Sequence, residues 1–174
     1  MHARPTTFVG TSPAGGFTLD GAPWHLHGAT YFGRRPGTCG ADWLGEHFTH
    51  NMQFLPRDLE RMQELGLNAL TLFVPGRRLL DGMQVNEEML GRVMTVLDVI
   101  AAAGLRVILF GLRGCSQEAW CAARGIAPSD GLWNPAVSAE AEQAYVASQT
   151  LLRAPFANRP EVLGYPGGAG RFFS

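Results

Sequence analysis

Residues 58–74 read DLERMQELGLNALTLFV, and this stretch decides the fold. Leu59, Met62 and Leu65 recur at helical spacing. Asp58 and Glu60 stand where the positive end of a helix dipole favours carboxylates. Gly66 is placed to stop that helix, because glycine takes the left-handed C-terminal conformation without a Cβ penalty. Leu67 and Asn68 leave room only for a tight turn. Residues 69–74 are then apolar except Thr71, as expected of a strand buried on both faces in a helix-covered parallel sheet. Pro75 and Gly76 end it.

The unit recurs. In residues 93–112, VMTVLDVIAAAGLRVILFGL, Val93, Val96, Leu97 and Ile100 predict a helix, Gly104 its stop, and Val107–Phe110 a second buried strand. Two successive helix–strand units with short turns imply parallel strands, which need a crossover helix. Upstream, Asp20-Gly21 is a hairpin signal, with Phe17–Leu19 and Pro23–His25 as its arms, and residues 6–10 add a strand before it. Residues 26–31 form the first barrel-type strand in this reading. Residues 32–53, 77–85 and 111–137 are expected as loops. Asn86 is the expected N-cap of the second helix, with Glu87 and Glu88 behind it. Ser138 is placed to cap a third helix presenting Ala141, Ala144, Tyr145, Ser148 and Leu152, which Pro155 closes. Residues 160–165 supply a fourth short strand. Long loops follow strands and short turns precede them, which fits the asymmetry of βα barrels, whose active face is built from the loops after the strands, and fits an open doubly wound sheet as well.

Composition narrows the function. With 174 residues, 46% hydrophobic and 17% charged, the chain suits one folded domain. A net charge of −1 gives no footprint for nucleic acid or an anionic membrane. No apolar run approaches the ~20 residues of a membrane span. Residues 1–10 lack an apolar export core, so the default expectation is a cytoplasmic chain. Cys39, Cys115 and Cys121 have neither disulfide-framework nor zinc-site spacing. No glycine-rich phosphate loop follows a strand, so no cofactor and no metal are expected.

Four segments together resemble the N-terminal half of cellulase-like glycoside hydrolases, the clan of endoglucanases, β-mannanases and β-galactosidase catalytic domains. They are FTLDGAPWHLHGATYFG (17–33), DLERMQELGLNALTLFV (58–74), VLDVIAAAGLRVILFGL (96–112) and FANRPEVLGY (156–165). The resemblance implies an α/β fold: a partial (β/α)8 TIM barrel of about four strands and three helices, preceded by a short N-terminal β-hairpin. Residues 1–174 would form a single domain that ends before the barrel closes. In that clan an acid/base glutamate follows an asparagine after the fourth strand, and a nucleophilic glutamate follows the seventh. Here Ala169 and Gly170 stand at the Asn-Glu place, and no acidic residue follows Glu161. Thr71 replaces an arginine that supports the nucleophile in many members.

No catalytic residue is therefore identifiable, and the chain alone is expected to be inactive. It reads as a truncated or frame-shifted product of a longer enzyme, as a degenerate relative that keeps carbohydrate affinity, or as an unrelated α/β fold. The parent enzyme would hydrolyse β-linked glycosides by a retaining double-carboxylate mechanism. The alternatives are a non-catalytic carbohydrate-binding module and a metal-dependent amidohydrolase-like fragment. The last is prompted by His25 and His27, which alternate on one strand face, but no histidine follows His50. The expected partner is an oligo- or polysaccharide. His27, Tyr31, Trp43, Trp120 and Trp133 are the candidate substrate contacts, because sugar C–H faces pack on aromatic rings near strand ends. Loop carboxylates Asp42, Glu46, Asp81, Glu118 and Asp130 are solvated by default. Half a barrel leaves sheet edges unpaired, so self-association is also expected.

Overall fold

A computed structural model describes residues 4–33, 44–81, 83–112 and 139–165. The chain opens with a three-stranded antiparallel sheet of β1 (Gly10–Thr11), β2 (Phe17–Leu19) and β3 (Ala22–Trp24). Asp20 and Gly21 both have positive φ, 52° and 79°. That pair forms the two-residue turn whose twist matches antiparallel arms.

A four-stranded sheet follows, ordered β4 (Gly28–Tyr31), β5 (Ala69–Phe73), β8 (Arg106–Phe110), β9 (Val162–Gly164). All three pairings are parallel. Between these strands run α2 (Leu55–Glu64), α4 (Glu87–Ala102) and α5 (Ala139–Arg153), the last followed by a 3-10 turn at Ala154–Phe156. This is the partial (β/α)8 barrel expected from the sequence: four parallel strands and three connecting helices, with the hairpin in front.

The predicted stops repeat one geometry. Gly66 has φ 76° and Gly104 φ 73°. At the first, Gly66 N donates to Gln63 O (2.8 Å) and Leu67 N to Met62 O (3.0 Å). At the second, Gly104 N donates to Ala101 O (2.9 Å) and Leu105 N to Ile100 O (3.2 Å). Both are Schellman closures, which satisfy the last helix carbonyls and turn the chain directly into a strand. The predicted cap also forms, with Met89 N donating to Asn86 Oδ1 at 3.0 Å.

α2 begins at Leu55, with Pro56 in its first turn and Asp58 near the N-terminus, where the sequence places them. Two expectations change. The expected loop 32–53 contains a short helix, α1 (Phe48–Met52), and the expected loop 77–85 contains α3 (Gly76–Leu79) and a small antiparallel pair, β6 (Leu80–Asp81) with β7 (Gln84–Val85). These short elements carry no long hydrophobic period, so tertiary packing decides them; Leu79 and Leu80 are buried in the main core. The second change is burial. β5 and β8 are not covered on both faces. Leu70, Leu72, Val107 and Leu109 are buried with Leu59, Val93, Val96, Leu97, Ile100, Leu152 and Phe156 on the helix side. Thr71, Phe73 and Ile108 are only half-buried, and Phe110 is exposed. Among the described residues the four parallel strands do not close on themselves, so the face opposite the helices lacks the facing strands that fill a complete barrel.

The hairpin sheet covers one end of that face. Ile108 and Leu163 line a small cavity with Val9, Thr11, Phe17, Trp24 and Leu26. Trp24 packs edge-on against Phe17 at 6.2 Å, with the Arg106 guanidinium 6.0 Å from its ring centre.

Candidate functional site at the strand C-terminal ends

The sheet has two chemically different ends. At the N-terminal ends polar groups tie elements together. Arg106, buried at the start of β8, donates through Nη1 to Thr7 O (2.9 Å) and Pro160 O (2.6 Å). Burial holds its guanidinium below the usual arginine range, an effect that Asp20 and Glu161 oppose. Asn68 clamps the segment before β4: its Nδ2 donates to His25 O (2.6 Å) and its Oδ1 accepts from His27 N (2.9 Å). Arg159 bridges Glu161 on one side and Asp98 of α4 (2.7 Å) on the other, and Arg4 reaches the same Asp98 oxygen at 3.1 Å. The Arg159 hydrogen bond, with Arg4 nearby, holds the Asp98 carboxyl below the usual carboxylate value, against a smaller opposing effect of burial.

The C-terminal ends are apolar and aromatic. β4 runs out at Tyr31-Phe32-Gly33, β5 at Phe73-Val74-Pro75-Gly76, β8 at Phe110-Gly111-Leu112 and β9 at Gly164-Tyr165. Two backbone hydrogen bonds extend the β5–β8 pairing past the strands: Val74 N to Phe110 O (2.7 Å) and Gly76 N to Gly111 O (3.0 Å). The Phe73 and Phe110 rings lie 5.9 Å apart, tilted by 46°. No residue of 28–33, 69–76, 106–112 or 162–165 is acidic, so the rim presents no carboxylate of its own in these segments.

The predicted contacts are distributed unevenly over this frame. Tyr31 ends β4, but its side chain is only 6% exposed, belongs to the helix-side core, and donates from its hydroxyl to Asp58 Oδ2 at 2.9 Å. Strand parity turns it away from the open face. His27 precedes β4 instead of ending it, and its Nδ1 lies 3.1 Å from Gly66 O. It therefore stands at the end of the sheet opposite the rim and is not brought together with Tyr31. His25 and His27 are exposed, and no cluster of three metal-ligating side chains occurs among the described residues. Trp43, Trp120 and Trp133 lie outside the described residues. Of the loop carboxylates, Glu46 and Asp81 are exposed, and Asp42, Glu118 and Asp130 also lie outside them.

Sequence reading missed Phe73 and Phe110. The signal was there: each apolar strand ends in phenylalanine two residues after a position of the less buried parity, Thr71 or Ile108. Tyr165, immediately after β9, is half-buried with the Arg153 guanidinium 5.5 Å from its ring centre. Burial raises its phenol above the ordinary tyrosine value, and Arg153 partly offsets this.

The four parallel strands and their connecting helices define a partial (β/α)8 barrel, and the likeness to solved structures lies in that fold. Among solved structures, the chain superposes on an exo-β-1,4-mannosidase from Opitutaceae bacterium strain TAV5 with TM-score 0.55 and 21% identity, over 95% of this chain and 27% of that one. It also superposes on GH5_18 from Bifidobacterium longum subsp. longum in complex with Manβ1-4GlcNAc, with TM-score 0.57 and 14% identity, over 81% of this chain and 32% of that one. The chain thus spans about a third or less of the length of these solved structures. No family model matches the sequence, and no curated protein matches it.

Proposed function

We propose that this chain is the sugar-facing first half of a glycoside hydrolase barrel, one that binds carbohydrate at its strand C-terminal ends and does not hydrolyse it alone. The observation that carries the reading is the rim itself. Barrel enzymes of this architecture do their chemistry at the C-terminal ends of the strands. Retaining glycosidases need two carboxyl groups about 5–5.5 Å apart there, whereas the four strand ends described carry aromatic and small residues and no acid. Ala169 and Gly170, at the place of the Asn-Glu pair, agree with this. A complete parent enzyme would add the remaining strands and both carboxylates, and would cleave β-linked glycosides through a covalent intermediate. The similarity in fold to the exo-β-1,4-mannosidase makes β-mannosides the first substrates to try.

The test has two parts. Purified chain incubated with p-nitrophenyl β-mannoside releases nitrophenol at the rate of buffer alone, while calorimetry or ligand-observed NMR detects binding of β-1,4-mannobiose. Turnover above background by homogeneous protein would refute the claim of inactivity. Absence of any binding to mannobiose and cellobiose would refute the carbohydrate reading.

A further inference from the structure

We propose that residues 4–24 are a flap: the N-terminal segment and its hairpin undock from the parallel sheet as a unit, hinged at His25–His27, and open the sheet face opposite the helices at its N-terminal end.

The hairpin adds nothing to the core. No residue from 4 to 30 is buried, and the hydrophobic core begins at Tyr31. A cavity of about 70 Å³ lies where Val9, Thr11, Phe17, Trp24 and Leu26 meet Ile108 and Leu163 of the sheet. Well-packed interiors leave few voids larger than a water. Among the described residues, no backbone-to-backbone hydrogen bond joins 4–24 to the rest of the chain. The polar ties run through arginine side chains instead: Arg106 Nη1 donates to Thr7 O at 2.9 Å, and Arg4 Nη2 to Asp98 Oδ1 at 3.1 Å. Segments with few buried apolar contacts open at free energies well below that of global unfolding.

Both ties break without stranding a buried group. When Thr7 O leaves, Arg106 keeps Pro160 O at 2.6 Å. When Arg4 leaves, Asp98 keeps Arg159 at 2.7 Å. Thr7 and Arg4 are exposed, so water replaces their partners. The usual penalty for parting two surfaces is an unsatisfied buried donor or acceptor, and neither tie incurs it. The hinge is fixed by contrast. Asn68 Nδ2 donates to His25 O (2.6 Å), Asn68 Oδ1 accepts from His27 N (2.9 Å), and Asn68 N donates to His27 O (2.9 Å). Motion therefore ends at His25. The Arg4 and Asp98 side chains are 57% and 56% exposed, so salt screens their pairing and shifts the flap toward open. A small hairpin without a packed face is marginal in water, so its amides lose protection when it undocks.

The experiment is hydrogen exchange on the full 174-residue chain. Amides of residues 17–24 are expected to exchange at least about tenfold faster than those of 69–73 and 106–110. Their exchange should hardly respond to dilute urea, because the opening exposes little surface. Arg4→Ala should speed hairpin exchange about two- to fivefold at low salt. It should also abolish the rise that wild type shows between about 0.01 M and about 1 M salt. Arg106→Lys, which keeps the charge but replaces the guanidinium, should speed it about tenfold or more. Arg4→Ala alters an exposed residue and keeps the test open even where Arg106→Lys lowers global stability. If hairpin and strand amides exchange at one rate with one urea dependence, the hairpin opens only by global unfolding and the flap is overturned. If neither arginine variant changes hairpin exchange, these ties do not hold it, and the proposal is likewise overturned.

Discussion

The two ends of the four-stranded sheet solve different problems with different residues. At the N-terminal ends, Arg106, Arg159, Glu161, Asp98 and Asn68 join the N-terminal segment, α4 and the starts of the strands by hydrogen bonds between residues far apart in sequence. At the C-terminal ends the strands finish in aromatic rings and glycines, and no carboxylate stands among the described strand-end residues. The contrast puts the polar ties at one end and an acid-free aromatic rim at the other; in the function proposed above the first end serves stability and the second recognition, the division seen in βα barrels generally. Substitutions should therefore separate cleanly, moving unfolding at one end and binding at the other.

The sharpest break of that comparison is Glu161→Ala. Glu161 is 1% exposed and takes the Arg159 Nε hydrogen bond. Removing it takes from a largely buried guanidinium one of its two carboxylate partners, Asp98 remaining, which costs about 2–3 kcal/mol. Urea denaturation should show that loss, with mannobiose affinity at the rim unchanged. A loss below about 1 kcal/mol would mean that the pair is effectively solvated and that the lower end is no clamp.

A smaller effect is expected at Tyr31→Phe. Its hydroxyl bonds Asp58 on the helix side, so stability should fall by about 1 kcal/mol while binding stays constant. Loss of binding without loss of stability would return Tyr31 to the ligand side. Asn86→Ala should likewise cost about 1 kcal/mol by removing the α4 cap, read by denaturation and again without effect on binding.

Asp98 gives the pH arm. Its folded pKa is held down by Arg159 and Arg4. The stability it adds is therefore present above the unfolded aspartate pKa of about 3.9 and is lost as pH falls through the lower folded value. Asp98→Asn should be less stable than wild type near neutrality, and the two should converge in acid. Equal stability at neutral pH would show that solvent screens the bridge completely. The smallest stability effect belongs to Phe110→Ala. A ring already 40% exposed should change unfolding by under about 1 kcal/mol. A large destabilisation there would make the rim part of the core.

Much of the fold was legible in residues 17–24 and 58–112. The Gly66 and Gly104 stops, the Asn86 cap, the Asp20-Gly21 turn and the two apolar strands are local signals, and local backbone preference carries them into the structure unchanged. The short elements α1, α3, β6 and β7 were read as loops, because segments of two to five residues show no period of their own. The candidate site was less legible. Tyr31 looked like a rim aromatic because it ends a strand, but a strand-end residue faces either ligand or helices, and a one-residue change of parity decides which.

From the sequence alone came the order of helix, stop and strand, and hence a parallel sheet, since each of those features is decided within a few neighbouring residues. Only the tertiary structure determined which strand face is buried, that Phe73 and Phe110 share a level, and that Arg106 and Glu161 belong to one polar end. Those properties depend on register between strands and on contacts across dozens of residues, where local propensity carries no information.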